Sequence, residues 1–223
     1  MTMAHARMIY AVDVGSTLPG RDGIAFAWAK VPQEGGQPVA NTDPTELASS
    51  AAADLCAGHS VALGFEAPLF IPVPKNVRRL SRRRENEGNR AWSAPAGGYV
   101  ATLALHQAAW LLRELRSSCS ETCELTVDPE RWSHNGGQTV LFCWEAFVSG
   151  EAHTVHMRDA ATAVMYFQAE QQALETAVTA EDPLSLLGCA VLWSGWSTDL
   201  SWLHRPLVVL RPQAPWNGEI DVV

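Results

Sequence analysis

Residues 8–14 read MIYAVDV and residues 23–31 read GIAFAWAKV, and these two stretches decide the fold class. Both are rich in residues that favour β-strands, and the stretch between them, 15–22, contains the turn-forming pair Pro19-Gly20. The pattern predicts two antiparallel strands joined by a long loop at the start of the chain.

Helices and strands alternate after this hairpin. Asp43-Pro44 is a helix-start signal, and apolar residues then recur at helical spacing until Gly58. The further predicted elements are a strand at 60–65, a helix at 99–116, strands at 123–127 and 139–147, a helix at 157–178, a short helix at 184–192 and a strand at 207–210. A third strand next to the hairpin is barely visible, because residues 35–41 (GGQPVAN) are few and interrupted by proline. The order predicts an α/β fold with a mixed sheet, an antiparallel hairpin followed by parallel strands, flanked by helices.

The composition is that of an ordinary globular protein. Of 223 residues, 47% are hydrophobic and 18% charged, which excludes disorder and coiled coil and favours one domain over residues 1–223. A basic loop at about 75–90 and a C-terminal extension at about 193–223 are expected as parts of that domain. The chain contains no uncharged apolar run long enough for a membrane span or a signal peptide, and its five cysteines include no CxxC pair. These features predict a cytoplasmic protein with reduced thiols and no membrane partner.

One short segment carries a concentrated positive charge. Between residues 75 and 90 there are seven basic and only two acidic residues, a net charge of +5, so the rest of the chain carries −13 of the total of −8. The seven are Lys75, Arg78, Arg79, Arg82, Arg83, Arg84 and Arg90. The segment has no apolar periodicity, which predicts an exposed loop that binds a phosphate-rich partner such as DNA or RNA.

Four carboxylates occupy positions where an acidic side chain is unexpected. Asp13, Glu66 and Glu145 lie in or at the end of apolar strands, and Asp159 lies in the first turn of the second long helix. Each has an ordinary explanation: a hydrogen-bonded turn for Asp13, a salt bridge for Glu66, an outward position on an edge strand for Glu145, and the positive helix N-terminus for Asp159. Together, at one end of a sheet, they would instead form a site for two Mg²⁺ or Mn²⁺ ions.

These motifs resemble the ribonuclease H-like superfamily. The resemblance rests on the Asp of the first strand (AVDVGS), the hairpin strand GIAFAWAKV, the acidic residue in GFEAPLFIP, and the later WEAF followed by a helix opening HMRDAATAV. Holliday-junction-resolvase-like domains, and a set of uncharacterised proteins predicted to be nucleases of that fold, are the nearest members. The resemblance covers about residues 8–192.

The resemblance implies a metal-dependent nuclease. In that family pattern Asp13 bridges the metals, Glu66 is the second ligand, and either Asp159 or Glu145 completes the site. His153 and His156 precede the helix that carries Asp159, and they are candidates for acid–base work or for metal ligation.

Two other classes of function remain open from the sequence. Asp13-Val14-Gly15-Ser16-Thr17 also resembles the first phosphate loop of actin-like ATPases and sugar kinases, although no second such loop and no Walker A motif follow it. The third class is a non-catalytic module of the same fold that binds nucleic acid or another anion through the basic segment. The acidic balance of the rest of the chain favours this third class, because it would repel nucleic acid everywhere except at that segment.

Overall fold

The computed structural model describes residues 6–20, 23–89, 91–119 and 123–223. Its strands are β1 (Arg7–Asp13), β2 (Ala27–Pro32), β3 (Val39–Asn41), β4 (Ser60–Glu66), β5 (Phe70–Pro72), β6 (Cys123–Thr126), β7 (Thr139–Ala146), β8 (Pro183–Ser185), β9 (Val209–Leu210) and β10 (Asp221–Val222). Its α-helices are α1 (Pro44–Cys56), α2 (Pro95–Cys119), α3 (Pro129–Ser133), α4 (His156–Glu170) and α5 (Leu186–Ser194). No helix in these ranges is long and apolar enough to cross a membrane.

Eight of the described strands form one mixed sheet. Its order is β10-β3-β2-β1-β4-β7-β6, with β9 paired to the end of β7, while β5 and β8 pair separately. Strand β1 is antiparallel to β2 and parallel to β4, and β4 is parallel to β7. The predicted α/β class, with an antiparallel hairpin followed by parallel strands, is confirmed. The weakly marked third strand is also present as β3, antiparallel to β2.

The helices cover both faces of the sheet. Side chains alternate along β1, so Tyr10 and Val12 belong to the core under α1, α2 and α5, whereas Ile9 and Ala11 belong to the core under α4. A carboxylate at the end of β1 on the Ile9 face, such as Asp13, therefore lies beside α4.

Several predicted element bounds differ from the structure, and for two of them the reason is a tertiary contact that overrides the local pattern. The second long helix ends at Glu170 rather than at Val178, since Val178 belongs to the core on the opposite face of the sheet. The backbone N–H of Ala177 instead donates to the carbonyl of Val209 in β9. The second strand begins at Ala27 rather than at Gly23, because the preceding residues fold back onto the carbonyl of Ser16.

Gly64 in the centre of β4 makes room for the largest side chain on its neighbouring strand. It pairs in register with Trp144 of β7, whose indole lies directly over it. The indole also packs against the Phe167 ring of α4, with 4.8 Å between the ring centroids. A Cβ atom at Gly64 would lie 2.3–2.8 Å from three atoms of this buried indole. The glycine is therefore required for the packing of α4 onto the sheet.

We expect Gly64→Ala to lower the free energy of unfolding by about 1–3 kcal/mol, because the indole has no free volume into which to move. Gly98→Ala is the matched control: it lies in the first turn of α2, its Cβ would be 3.6 Å from the nearest heavy atom, and alanine is the better helix former. Urea unfolding of both variants measures the difference. Wild-type stability of Gly64→Ala would contradict this account of the packing.

Candidate metal centre at the ends of the central strands

Three carboxylates from different elements meet at one edge of the sheet. They are Asp13 at the end of β1, Glu66 at the end of β4 and Asp159 in the first turn of α4, and one oxygen of each lies within 4.8 Å of the others. The expected convergence of Asp13 and Glu66 is thus confirmed.

The strand register explains why Asp13 and Glu66 converge. Strands β1 and β4 are parallel, and Asp13 pairs directly with Glu66 at their C-terminal ends. Residues paired in this way project from the same face of a sheet, and this face is the one covered by α4. The first turn of α4 then brings Asp159 over the two strand ends.

Asp159 is completely buried and its carboxylate is held by the residues that precede α4. Its Oδ1 accepts hydrogen bonds from the backbone N–H of Thr154 at 2.7 Å and from the Thr154 hydroxyl at 2.9 Å. Its Oδ2 lies 2.5 Å from Nδ1 of His153. These contacts orient the carboxylate and leave it with acceptor capacity toward Asp13 and Glu66. Thr154 was not among the residues predicted from the sequence, although a hydroxyl residue beside a helix start is a common hydrogen-bonding partner there.

Asp13 is held by a histidine and by its strand neighbour. Its Oδ2 lies 2.8 Å from Nδ1 of His156, and its carboxyl group is also hydrogen-bonded to Glu66. Burial raises the pKa of Asp13, and the charge of Asp159 acts in the same direction, while the hydrogen bonds to His156 and Glu66 oppose the rise. The hydrogen bond with Asp13 raises the pKa of His156.

The donor set of this cluster fits a hard divalent cation. Three acidic groups meet here, and Asp159 is fully buried, so a bound cation would offset their mutual repulsion. Three carboxylates are oxygen ligands of the kind that Mg²⁺ and Mn²⁺ prefer. The side chains of His153 and His156 are 41% and 46% exposed, so solvent reaches the cluster on their side.

Glu145 does not join the cluster, although the sequence offered it as an alternative to Asp159. Strand β7 pairs with β4 so that Ala146 lies beside Glu66, whereas Glu145 lies beside Phe65. Because side chains alternate along a strand, Glu145 projects from the opposite face of the sheet. Between the two candidates, the structure brings Asp159 to the site.

Arg84, expected on an exposed basic loop, is instead buried and paired with Glu145. Its Nη1 and Nη2 each lie 2.8 Å from an oxygen of Glu145, and its Nε lies 3.0 Å from Oε1 of Glu87. The side chain is 1% exposed and its guanidinium lies over the Phe70 ring. Burial raises the pKa of Glu145, and the charge of Arg84 opposes this rise. Arg84 therefore anchors the segment and is not available to a ligand in solution.

The other basic residues of the segment remain at the surface. Lys75, Arg78, Arg79, Arg82 and Arg83 are exposed, as expected, and Arg90 lies outside the described residues. An exposed cationic surface therefore does exist in this segment, without the contribution of Arg84.

The turn after β1, offered as a possible phosphate loop, is closely packed. A Cβ atom at Gly15 would lie 2.1 Å from the carbonyl oxygen of Ala25. The hydroxyl of Ser16 bonds within the turn, accepting from the backbone N–H of Leu18 at 3.2 Å. The turn borders a cavity of about 360 Å³ whose other walls include Phe65, Tyr99 and Trp110.

Comparison with known proteins gives no match: no protein-family model fits the chain, and no curated protein or solved structure is significantly similar to it. The geometry of the site therefore carries the functional argument.

We expect Asp13→Asn to leave the free energy of unfolding at pH 7 unchanged or to raise it by about 1 kcal/mol, measured by urea unfolding in EDTA. The raised pKa means that the folded state disfavours the ionised carboxylate, and the amide removes that cost. Asp221→Asn, at the far edge of the sheet, is the control and should change little. A clear loss of stability in Asp13→Asn would show that the carboxylate has a structural role in the turn.

We expect Arg84→Ala to lower the free energy of unfolding by about 3–5 kcal/mol, because it leaves Glu145 and Glu87 buried without their counter-charge. Arg78→Ala, which changes an exposed arginine six residues earlier, should lie within about 0.5 kcal/mol of wild type. Adding Glu145→Gln to Arg84→Ala should recover part of the loss, since an amide needs no counter-ion. Equal stability of the two single variants would contradict the anchoring role of Arg84.

Proposed function

We propose that this protein is a metal-dependent phosphodiester hydrolase of ribonuclease H-like architecture that acts on DNA or RNA. The observation that carries the proposal is the meeting of Asp13, Glu66 and Asp159 within 4.8 Å at the ends of two central parallel strands. Each of the three comes from a separate element, so no local sequence preference accounts for their convergence.

The order of the elements supports the architectural part of the proposal. An antiparallel β3-β2-β1 meander is followed by parallel strands β4 and β7, with β1 at the centre of the sheet. The resemblance found in the sequence implies an acidic residue in the first strand, a second in the fourth, and a third that is either Glu145 on a late strand or Asp159 on the helix that follows it. Asp13, Glu66 and Asp159 occupy those positions.

Asp13, Glu66 and Asp159 would hold the Mg²⁺ or Mn²⁺ ions in this function. When bound, such ions stabilise the negative charge that develops on the attacking and leaving oxygens of a phosphodiester. The protein's own contribution is positional. His153 and Thr154 hold Asp159, and His156 holds Asp13 through Nδ1, so two of the three carboxylates are already oriented.

The exposed basic residues support a polyanionic substrate. Lys75, Arg78, Arg79, Arg82 and Arg83 lie at the surface of a chain whose other regions are strongly acidic. Such a surface attracts the phosphate backbone locally while the rest of the protein repels it.

The same geometry gives less support to the phosphate-loop ATPase. The turn at Gly15 is closed against Ala25, and the Ser16 hydroxyl is used inside the turn rather than offered to a phosphate. The carboxylate cluster, by contrast, has an electrostatic cost that a bound cation would remove.

The proposal is tested by incubating the protein with labelled single-stranded and duplex DNA and with RNA, in Mg²⁺, in Mn²⁺ and in EDTA. We expect cleavage only with the metals, and a decrease of at least about a hundredfold in Asp13→Asn, because a ligand contributes more than the outer residues that orient it. Asp221→Asn should cleave at the wild-type rate.

Metal binding is measured separately by the thermal shift that Mn²⁺ produces. We expect Mn²⁺ to raise the melting temperature of the wild type and of Asp221→Asn but not that of Asp13→Asn, because a ligand that binds only the folded state stabilises it. Cleavage that persists in EDTA, or a wild type that neither binds Mn²⁺ nor cleaves any of these substrates, would overturn the proposal.

A further inference from the structure

A cavity of about 640 Å³ lies beside β5, on the basic segment and away from the carboxylate cluster. Its walls include Arg79, Arg82, Arg83, Arg84, Glu85 and Glu181, and we call it the arginine cavity. Its volume is in the range of pockets that enclose a ligand of nucleotide size. None of its lining residues belongs to the metal centre.

Two of the four arginines are not neutralised by a carboxylate partner. Arg79 pairs with Glu181 at 3.6 Å, and Arg84 is held by its buried carboxylates. Within the described part of the chain, the side chain of Arg83 donates only to a backbone carbonyl, that of Gly88, at 3.2 Å. The guanidinium of Arg82 has no acceptor among the residues that the structure describes.

A carboxylate, Glu85, also lines the cavity, and its Oε2 accepts from the hydroxyl of Thr179 at 3.2 Å. The charge of Glu85 offsets the charge of one of the two guanidinium groups that have no carboxylate partner. The side chains that line the cavity carry four positive charges, those of Arg79, Arg82, Arg83 and Arg84, and two negative charges, those of Glu85 and Glu181.

The backbone that carries these two arginines is fixed in place. The carbonyl of Arg82 accepts from the indole N–H of Trp92 at 3.0 Å, and that of the preceding Ser81 accepts from the Ser93 hydroxyl at 2.8 Å. The next residue, Arg84, is locked into the interior by the buried ion pairs. A site whose backbone is ordered before binding loses less entropy when a ligand arrives.

We propose that the arginine cavity is a binding site for a phosphomonoester group. A guanidinium presents a planar pair of donors that matches phosphate oxygens, and two of them suit a group with three terminal oxygens and a charge near −2. An internal phosphodiester is singly charged, so it gains less from two guanidinium groups than an end group with a charge near −2 does. That the phosphomonoester is the phosphorylated end of a nucleic-acid strand, rather than a free nucleotide, rests on the proposed function.

The test is a binding measurement in EDTA, where cleavage does not interfere. Fluorescence anisotropy compares one short single-stranded DNA with a 5′-phosphate, with a 3′-phosphate and with hydroxyl groups at both ends. We expect wild type to bind one phosphorylated form about tenfold more tightly than the hydroxyl form, the size of one charge-assisted hydrogen-bonded contact. Arg82→Ala and Arg83→Ala should each lose most of this preference.

Arg78→Ala is the matched control, because Arg78 is an exposed arginine of the same segment that does not line the cavity. It should weaken binding of all three DNAs similarly and keep the preference for phosphate. Measurable but equal binding of the three DNAs by wild type would overturn the proposal, and so would a preference that survives in Arg82→Ala and Arg83→Ala or disappears in Arg78→Ala. Thermal melting confirms that each variant is folded.

Competition with a free mononucleotide and with inorganic phosphate separates the two sources of the group. Binding of the mononucleotide that depends on Arg82 and Arg83, without binding of any DNA, would support the cavity as a phosphomonoester site and count against the nuclease. Metal-dependent cleavage by a protein that shows no preference for phosphorylated ends would instead support the nuclease and overturn the phosphomonoester site. The two proposals can therefore fail independently.

Discussion

The parallel register between β1 and β4 is the constraint on which the candidate site depends. It pairs Asp13 with Glu66 at the C-terminal ends of two central strands and points both carboxylates toward α4. Asp13 is buried and Glu66 partly buried, and two acids side by side in such a place are unfavourable without a proton or a cation between them. The third side chain at this place is again an acid, Asp159, and not a lysine or an arginine that would neutralise the pair.

The buried ion pair between Arg84 and Glu145 lies on the other face of the sheet. It joins the basic segment to the C-terminal end of β7, so that a segment without apolar periodicity acquires a fixed backbone. At the end of β7, Glu145 points toward Arg84, and its neighbour Ala146 points to the opposite face of the sheet, beside Glu66. Glu145 and its partner Arg84 lie on the face of the sheet opposite to the carboxylate cluster, so Arg84 does not neutralise that cluster.

The two proposals use this separation of charge. A nucleic acid attracted by the exposed arginines would carry phosphate groups to an edge of the sheet where carboxylates are arranged to hold cations. The residues that orient the carboxylates, His153, Thr154 and His156, all lie just before or at the start of α4. The position of this one helix start therefore controls both the third carboxylate and the hydrogen bonds to the first.

Sequence pattern alone predicted the α/β class, the positions of most elements, and two of the carboxylates that meet at the candidate site, Asp13 and Glu66. Strand alternation and helical spacing are local properties, and an acidic residue in an apolar strand is conspicuous without any structure. The choice between Asp159 and Glu145 was decided only by tertiary structure, because the pairing register of β4 and β7 sets which face each residue occupies. Tertiary structure also decided the burial of Arg84 and the end of α4. The sequence of the basic segment does not show that one of its arginines pairs with Glu145, and the apolar residues after Glu170 do not show that this part of the chain contacts β9 instead of continuing the helix.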